Sequence, residues 1–153
     1  MTNPSTVRQR VEEAGNLAEV LDAAYEAFET VLSVIDGYHD GGGPFFAGLL
    51  MASAAAADGR NALLEAPSLP LTSQADLSVA EPESGARSSA GVAAQAAGDP
   101  VAAAATVAAL SASAASGLRR AAAWAVAAAD RAACLDAARY ADEVLVLTRG
   151  NGP

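Results

Sequence analysis

VRQRVEEAGNLAEVLDAAYEAFETVLSVI, residues 7–35, carries apolar side chains at alternating steps of three and four: Val11, Ala14, Ala18, Leu21, Tyr25, Phe28, Leu32 and Ile35. Such steps place all eight on one side of an α-helix. Leu17, Val20, Ala24 and Val31 widen the stripe on one flank, as a helix facing a core needs and a two-stranded coiled coil does not. Asn3-Pro4 supplies a cap and a first-turn residue and Gly37 a stop, so the spacing predicts one helix over 4–37.

Working outward, Gly37-Tyr38-His39-Asp40-Gly41-Gly42-Gly43 reads as a glycine-rich turn. Pro44 then opens a second helix, 44–66, with Phe45, Leu49, Ala52, Ala56 and Leu63 on its inner face, a kink at Asp58-Gly59 and a stop at Pro67. Residues 67–98 lose the helical period and gain Pro and Ser, which predicts a long, partly disordered connection. In it, Leu69, Leu71, Leu77 and Val79 are the residues able to lie against a core.

Asp99-Pro100 restarts the helix. Val107, Leu110, Ala114, Ala121 and Trp124 form its seam, but the same step continued would bury Arg131 and Asp142. A break near Asp130 is therefore expected, giving helices over 99–129 and 131–148, the latter with Cys134, Ala138, Ala141 and Leu145 inward. The whole, residues 1–153, reads as a single all-α domain: an alanine-rich antiparallel four-helix bundle. With 42 alanines among 153 residues, its core must be thin, because Ala buries little area, and helices must approach closely to compensate.

Charge narrows the function classes. Eighteen acids face nine basic residues, all arginine, for a net charge of −9. Nucleic-acid binding needs clustered positive charge, so nucleic acid is excluded as a partner, and anionic membrane surfaces with it. The apolar runs fall short of a membrane span and the first ten residues have no signal-peptide core, which points to the cytoplasm. One cysteine fits that reducing compartment.

Few residues offer chemistry. Asp36, Tyr38 and His39 cluster at the glycine-rich turn, with Tyr25 on the preceding helix, and form the candidate ligand-binding set. An imidazole flanked by carboxylates suits acid–base work once a pocket and a second partner are supplied, although a solvent-exposed loop histidine is the simpler reading. Trp124 with Arg119 and Arg120 is the candidate partner-binding set, since Trp and Arg anchor interfaces; core packing of Trp124 and exposed arginines are the simpler alternative. Cys134 reads as a small buried hydrophobe. The acidic face Glu19, Asp22, Glu26 and Glu29 reads as solvated, and a single histidine excludes the Glu-x-x-His pairs of di-iron bundles. No metal, cofactor or catalytic residue is assigned. Tyr25 and Glu29 stand at a Tyr-x-x-x-Glu spacing that resembles the export signal of helical-hairpin substrates of type VII secretion. There the signal follows a hairpin with a Trp-x-Gly turn, whereas here it lies inside the first helix and Trp124 precedes Ala125 and Val126, so no membership is assigned.

The expectation from sequence is thus a non-enzymatic helical interaction or scaffold protein that self-associates as a homo-oligomer or docks on a protein partner. The alternative is a small-molecule binder or enzyme with its site at Tyr38 and His39.

Overall fold

The structure, a computed structural model, describes residues 3–70 and 99–150. Every regular element among them is helical: α1 (Pro4–Glu13), α2 (Leu17–Asp40), α3 (Ala47–Leu64), α4 (Pro100–Trp124) and α5 (Ala128–Gly150). From residue 71 on, the expected connection lies outside the described residues, and with it Leu71, Leu77 and Val79. Leu69, at its start, is buried.

The single helix expected over 4–37 is two helices. The chain breaks at Ala14-Gly15-Asn16, where the Asn16 side chain accepts from the Glu19 amide and Glu19 Oε2 accepts from the Gly15 amide, each within 3 Å. Asn16-x-x-Glu19 is a reciprocal capping arrangement that satisfies the free amides opening α2. Past the break the inner face rotates: Val20, on the flank of the stripe, is buried, whereas Ala18, which an unbroken stripe would bury, is exposed. Beyond it the stripe holds, with Leu21, Tyr25, Phe28 and Ile35 buried.

α2 also runs through Gly37, the expected stop, to Asp40. The turn proper is Gly41-Gly42, and Gly42 takes a left-handed φ of +74° that suits glycine. α3 starts three residues later than expected. Phe46 turns inward and Phe45, predicted inside, is 78% exposed, because the chain is still extended there and adjacent side chains point apart. α3 continues unbroken through Asp58-Gly59, where no kink forms. Gly59 is there for closeness: a Cβ at that position would stand 2.5 Å from the Phe28 ring.

The expected break near Asp130 exists but falls earlier, at Ala125–Ala127. Trp124, expected in the seam, ends α4 and is 42% exposed. In α5 Cys134, Ala138 and Ala141 are buried as expected, while Val144 rather than Leu145 completes the face.

α2 packs against α3 and α4, α5 packs against α3 and α4, and α1 lies across α2 and α4. The chain ends of these helices meet in a definite way. Ser68, just past α3, bonds to Asp130 in the first turn of α5. Arg120, near the end of α4, reaches Val11 and Ala14 just before α2. α3 finishes and α5 begins at the end of the molecule where α4 finishes and α2 begins. The opposite end holds the start of α3 and, by helix length, the start of α4 and the finish of α5.

Candidate functional site

Tyr38, the first of the ligand-binding candidates, is fully buried, and its hydroxyl donates to the Pro44 carbonyl oxygen at 2.5 Å. A Cβ at Gly43 would stand 2.5 Å from the Tyr38 ring, so only glycine lets the turn close on it. The phenol is committed to holding the α2–α3 corner. His39 is not in a loop: it sits in the last turn of α2, half-buried, its ring edge-on to Tyr38 with centroids 5.5 Å apart. Its Nε2 is buried and lacks a hydrogen-bond partner among the described residues. Asp36 is exposed. Tyr25 is buried about 20 Å back along α2, given 1.5 Å per residue. The four candidates therefore share a helix, but Tyr25 lies too far from the other three to join them in one site. An open groove of about 340 Å³ between α1 and α4, flanked by Arg8 and Thr106, contains none of them. A second, around Arg10 and Glu19, contains none either.

The partner-binding candidates are occupied internally. Arg119 pairs with Asp142 of α5. Arg120 donates to the carbonyls of Val11 and Ala14, at 2.9 and 3.3 Å, and lies over the Trp124 ring at 5.6 Å from its centroid. These carbonyls close α1, where helical hydrogen bonding runs out, so Arg120 caps one helix from another. Arg131 does the same for the end of α4, donating to the Ala125 carbonyl at 2.9 Å.

The acidic face of α2 is less solvated than its sequence suggests. Folding α1 back brings Arg10 onto Asp22 and Glu26, and Arg60 of α3 meets Glu29 at 2.7 Å. Among the described residues, no three His, Cys, Asp or Glu side chains converge as a metal site would require. Cys134 is buried; burial first, and the neighbouring Asp130 carboxylate second, together push its thiol up to about 11. A thiol so held is mostly protonated at neutral pH and a poor nucleophile. α4 has the length and apolar composition that crossing a bilayer needs, yet its Val107, Leu110, Ala114 and Leu118 are buried in the packed helices.

What sequence reasoning missed is on α3. Its outward positions in the first half are Ala47, Leu50, Met51 and Ala54, all exposed, and beyond them come Asp58, Asn61 and Glu65. Leu50 and Met51 are 52% and 56% exposed, with Phe45 just before them. α5 finishes at the same end of the molecule and carries the exposed Val146 on its own outward face. The signal was available: residues 41–57 contain no charged side chain, more apolar surface than one helix face can bury.

Comparison with known proteins returns no matching family model, no matching curated sequence and no matching solved structure.

Proposed function

We propose that this chain is a non-catalytic interaction or scaffold protein of the cytoplasm, an antiparallel four-helix bundle that works by presenting a surface to itself or to a protein partner. The observation that carries the reading is the exposed apolar surface of Phe45, Leu50 and Met51 within an uncharged run of 17 residues. Exposed apolar surface of this kind marks association sites, while Tyr38, Arg119 and Arg120 are spent on bonds within the fold. Replacing Leu50 and Met51 together by Glu tests it. Association, followed by sedimentation for the chain alone and by affinity capture for a partner, should be lost while the helical circular dichroism is kept. Association that survives the double replacement, or none in the parent chain, would sink the reading.

A second reading places a small ligand beside His39. The unpartnered, buried Nε2 favours it. A fragment set read by shifts of the His39 ring protons in NMR, absent in His39→Ala, would support it, and unmoved resonances across the set would remove it.

A further inference from the structure

We infer that the outward stripe of α3 is a self-complementary dimer surface, on which a second copy of this chain packs its own α3 antiparallel about a two-fold axis between Leu50 and Met51. The inference rests on the interaction reading above and names its partner.

The spacing supplies the first argument. The stripe's positions, 47, 50, 51 and 54, are symmetric about their midpoint, and so are the residue types: Ala, Leu, Met, Ala. A two-fold interface must be complementary to itself, since each contact occurs twice with the roles exchanged. Antiparallel pairing about 50/51 sets Leu50 of one copy against Met51 of the other, and Ala47 against Ala54. Two large apolar groups then fill the centre, while alanines at both ends let the backbones approach.

Charge is the second argument. Two copies at −9 each repel, and most faces would bring carboxylates together at a cost. This one does not. In the same register Asp58 of one copy falls opposite Gly43 of the other, and the next acid on the stripe, Glu65, lies past the end of the other copy's α3. An anionic membrane would repel the chain and finds no basic residue between positions 41 and 57 to hold it.

Area is the third. Phe45, Leu50 and Met51 together expose apolar surface on the order of 300 Å², the size of the largest and often functional patch on a small protein. Doubled across the axis and widened by a polar rim, it stays under roughly 1,200 Å² in total, the size of a weak, reversible contact. A reversible dimer in the micromolar range fits that size.

Sedimentation equilibrium of the full chain between about 1 μM and 1 mM should show a reversible monomer–dimer equilibrium. Leu50→Glu with Met51→Glu, at exposed positions, should leave the melting temperature unchanged and weaken the dimer at least ~100-fold, since unpaired carboxylates would be buried at its centre. Register is read separately by cysteine cross-linking. An oxidised mixture of Ala47→Cys and Ala54→Cys chains should join far faster than either variant alone, because like positions lie more than a disulfide's reach of about 7 Å apart in this register. Equal rates would overturn the antiparallel axis, and a dimer indifferent to the Leu50/Met51 replacement would overturn the surface. A chain monomeric throughout overturns the second copy as occupant. If it then captures a different protein through Leu50 and Met51, the interaction reading stands alone; if it captures nothing, both fall. Binding to zwitterionic phosphatidylcholine vesicles in place of self-association would also overturn the inference.

Discussion

The two ends of this molecule are held in opposite ways. Where α3 and α4 finish, side chains tie together segments far apart in sequence: Arg120 to the Val11 and Ala14 carbonyls, and Asp130 to both the amide and hydroxyl of Ser68. Where α3 begins, the corner hangs on one residue, Tyr38, and the surface beside it is apolar and uncharged. One end spends its polar groups on closing helices, even though Trp124 and Val126 are exposed there. The other leaves Phe45, Leu50 and Met51 in water beside an uncharged run. The contrast separates residues that hold the fold from residues free to meet a partner, and it can be attacked from both ends.

The largest effect is expected at the corner. Tyr38→Ala empties a fully buried ring site and removes the bond to Pro44, and should cost about 3–5 kcal/mol in urea unfolding. Tyr38→Phe keeps the ring and should cost only about 1 kcal/mol; equal losses in the two variants would mean that the hydroxyl, not the packing, holds the corner. Next comes Cys134. Its ordinary value of 9.0 rises to about 11 in the fold, so the folded chain keeps a proton that the unfolded chain gives up. Stability from this group is full below pH 9 and is lost as pH climbs towards 11, on the order of 2 kcal/mol. Cys134→Ala should remove that alkaline slope, and a slope identical in the two chains would break the assignment.

At the tied end Arg120→Ala leaves two helix-terminal carbonyls without their donor and should cost about 1–2 kcal/mol. The loss should be local, with faster amide exchange in α1 and unchanged protection in α2, α3 and α5. Uniform loss of protection would show that this end is not a set of separable ties. The smallest effect is expected on the open stripe: Leu50→Glu with Met51→Glu should move monomer stability by no more than about 0.5 kcal/mol per site. A larger loss would mean that the stripe belongs to the core.

Much of this was legible in the sequence, and the failures are physical. The helical class followed from the steps through Leu21, Phe28 and Ile35, all buried. The break at Gly15 did not, because apolar residues continue at helical steps across it; the Asn16-x-x-Glu19 pair that opens α2 lies inside that run without disturbing its spacing. Phe45 was misplaced because a start three residues late inverts which of two neighbouring phenylalanines faces inward. The bonds of Arg10, Arg60 and Arg120 join residues 12–109 positions apart, and no local pattern announces them. The α3 stripe was missed because the reading followed only the inner face through Leu49, Ala52 and Ala56 and gave Leu50 and Met51, which face outward, no place.

Arg120 and α1 also imply an order of events. The contacts between α2 and α3, and those between α4 and α5, close short loops of chain. The bond from Arg120 to Val11 closes one of 109 residues, and loop closure costs entropy that rises with the logarithm of that span. Local helical encounters, α1 with α2 through Arg10 among them, form fast, whereas the Val11 and Ala14 carbonyls find the Arg120 donor only once α4 is in place. The tie between Arg120 and the end of α1 is thus among the last to settle, and its release is the natural first step when the molecule comes apart.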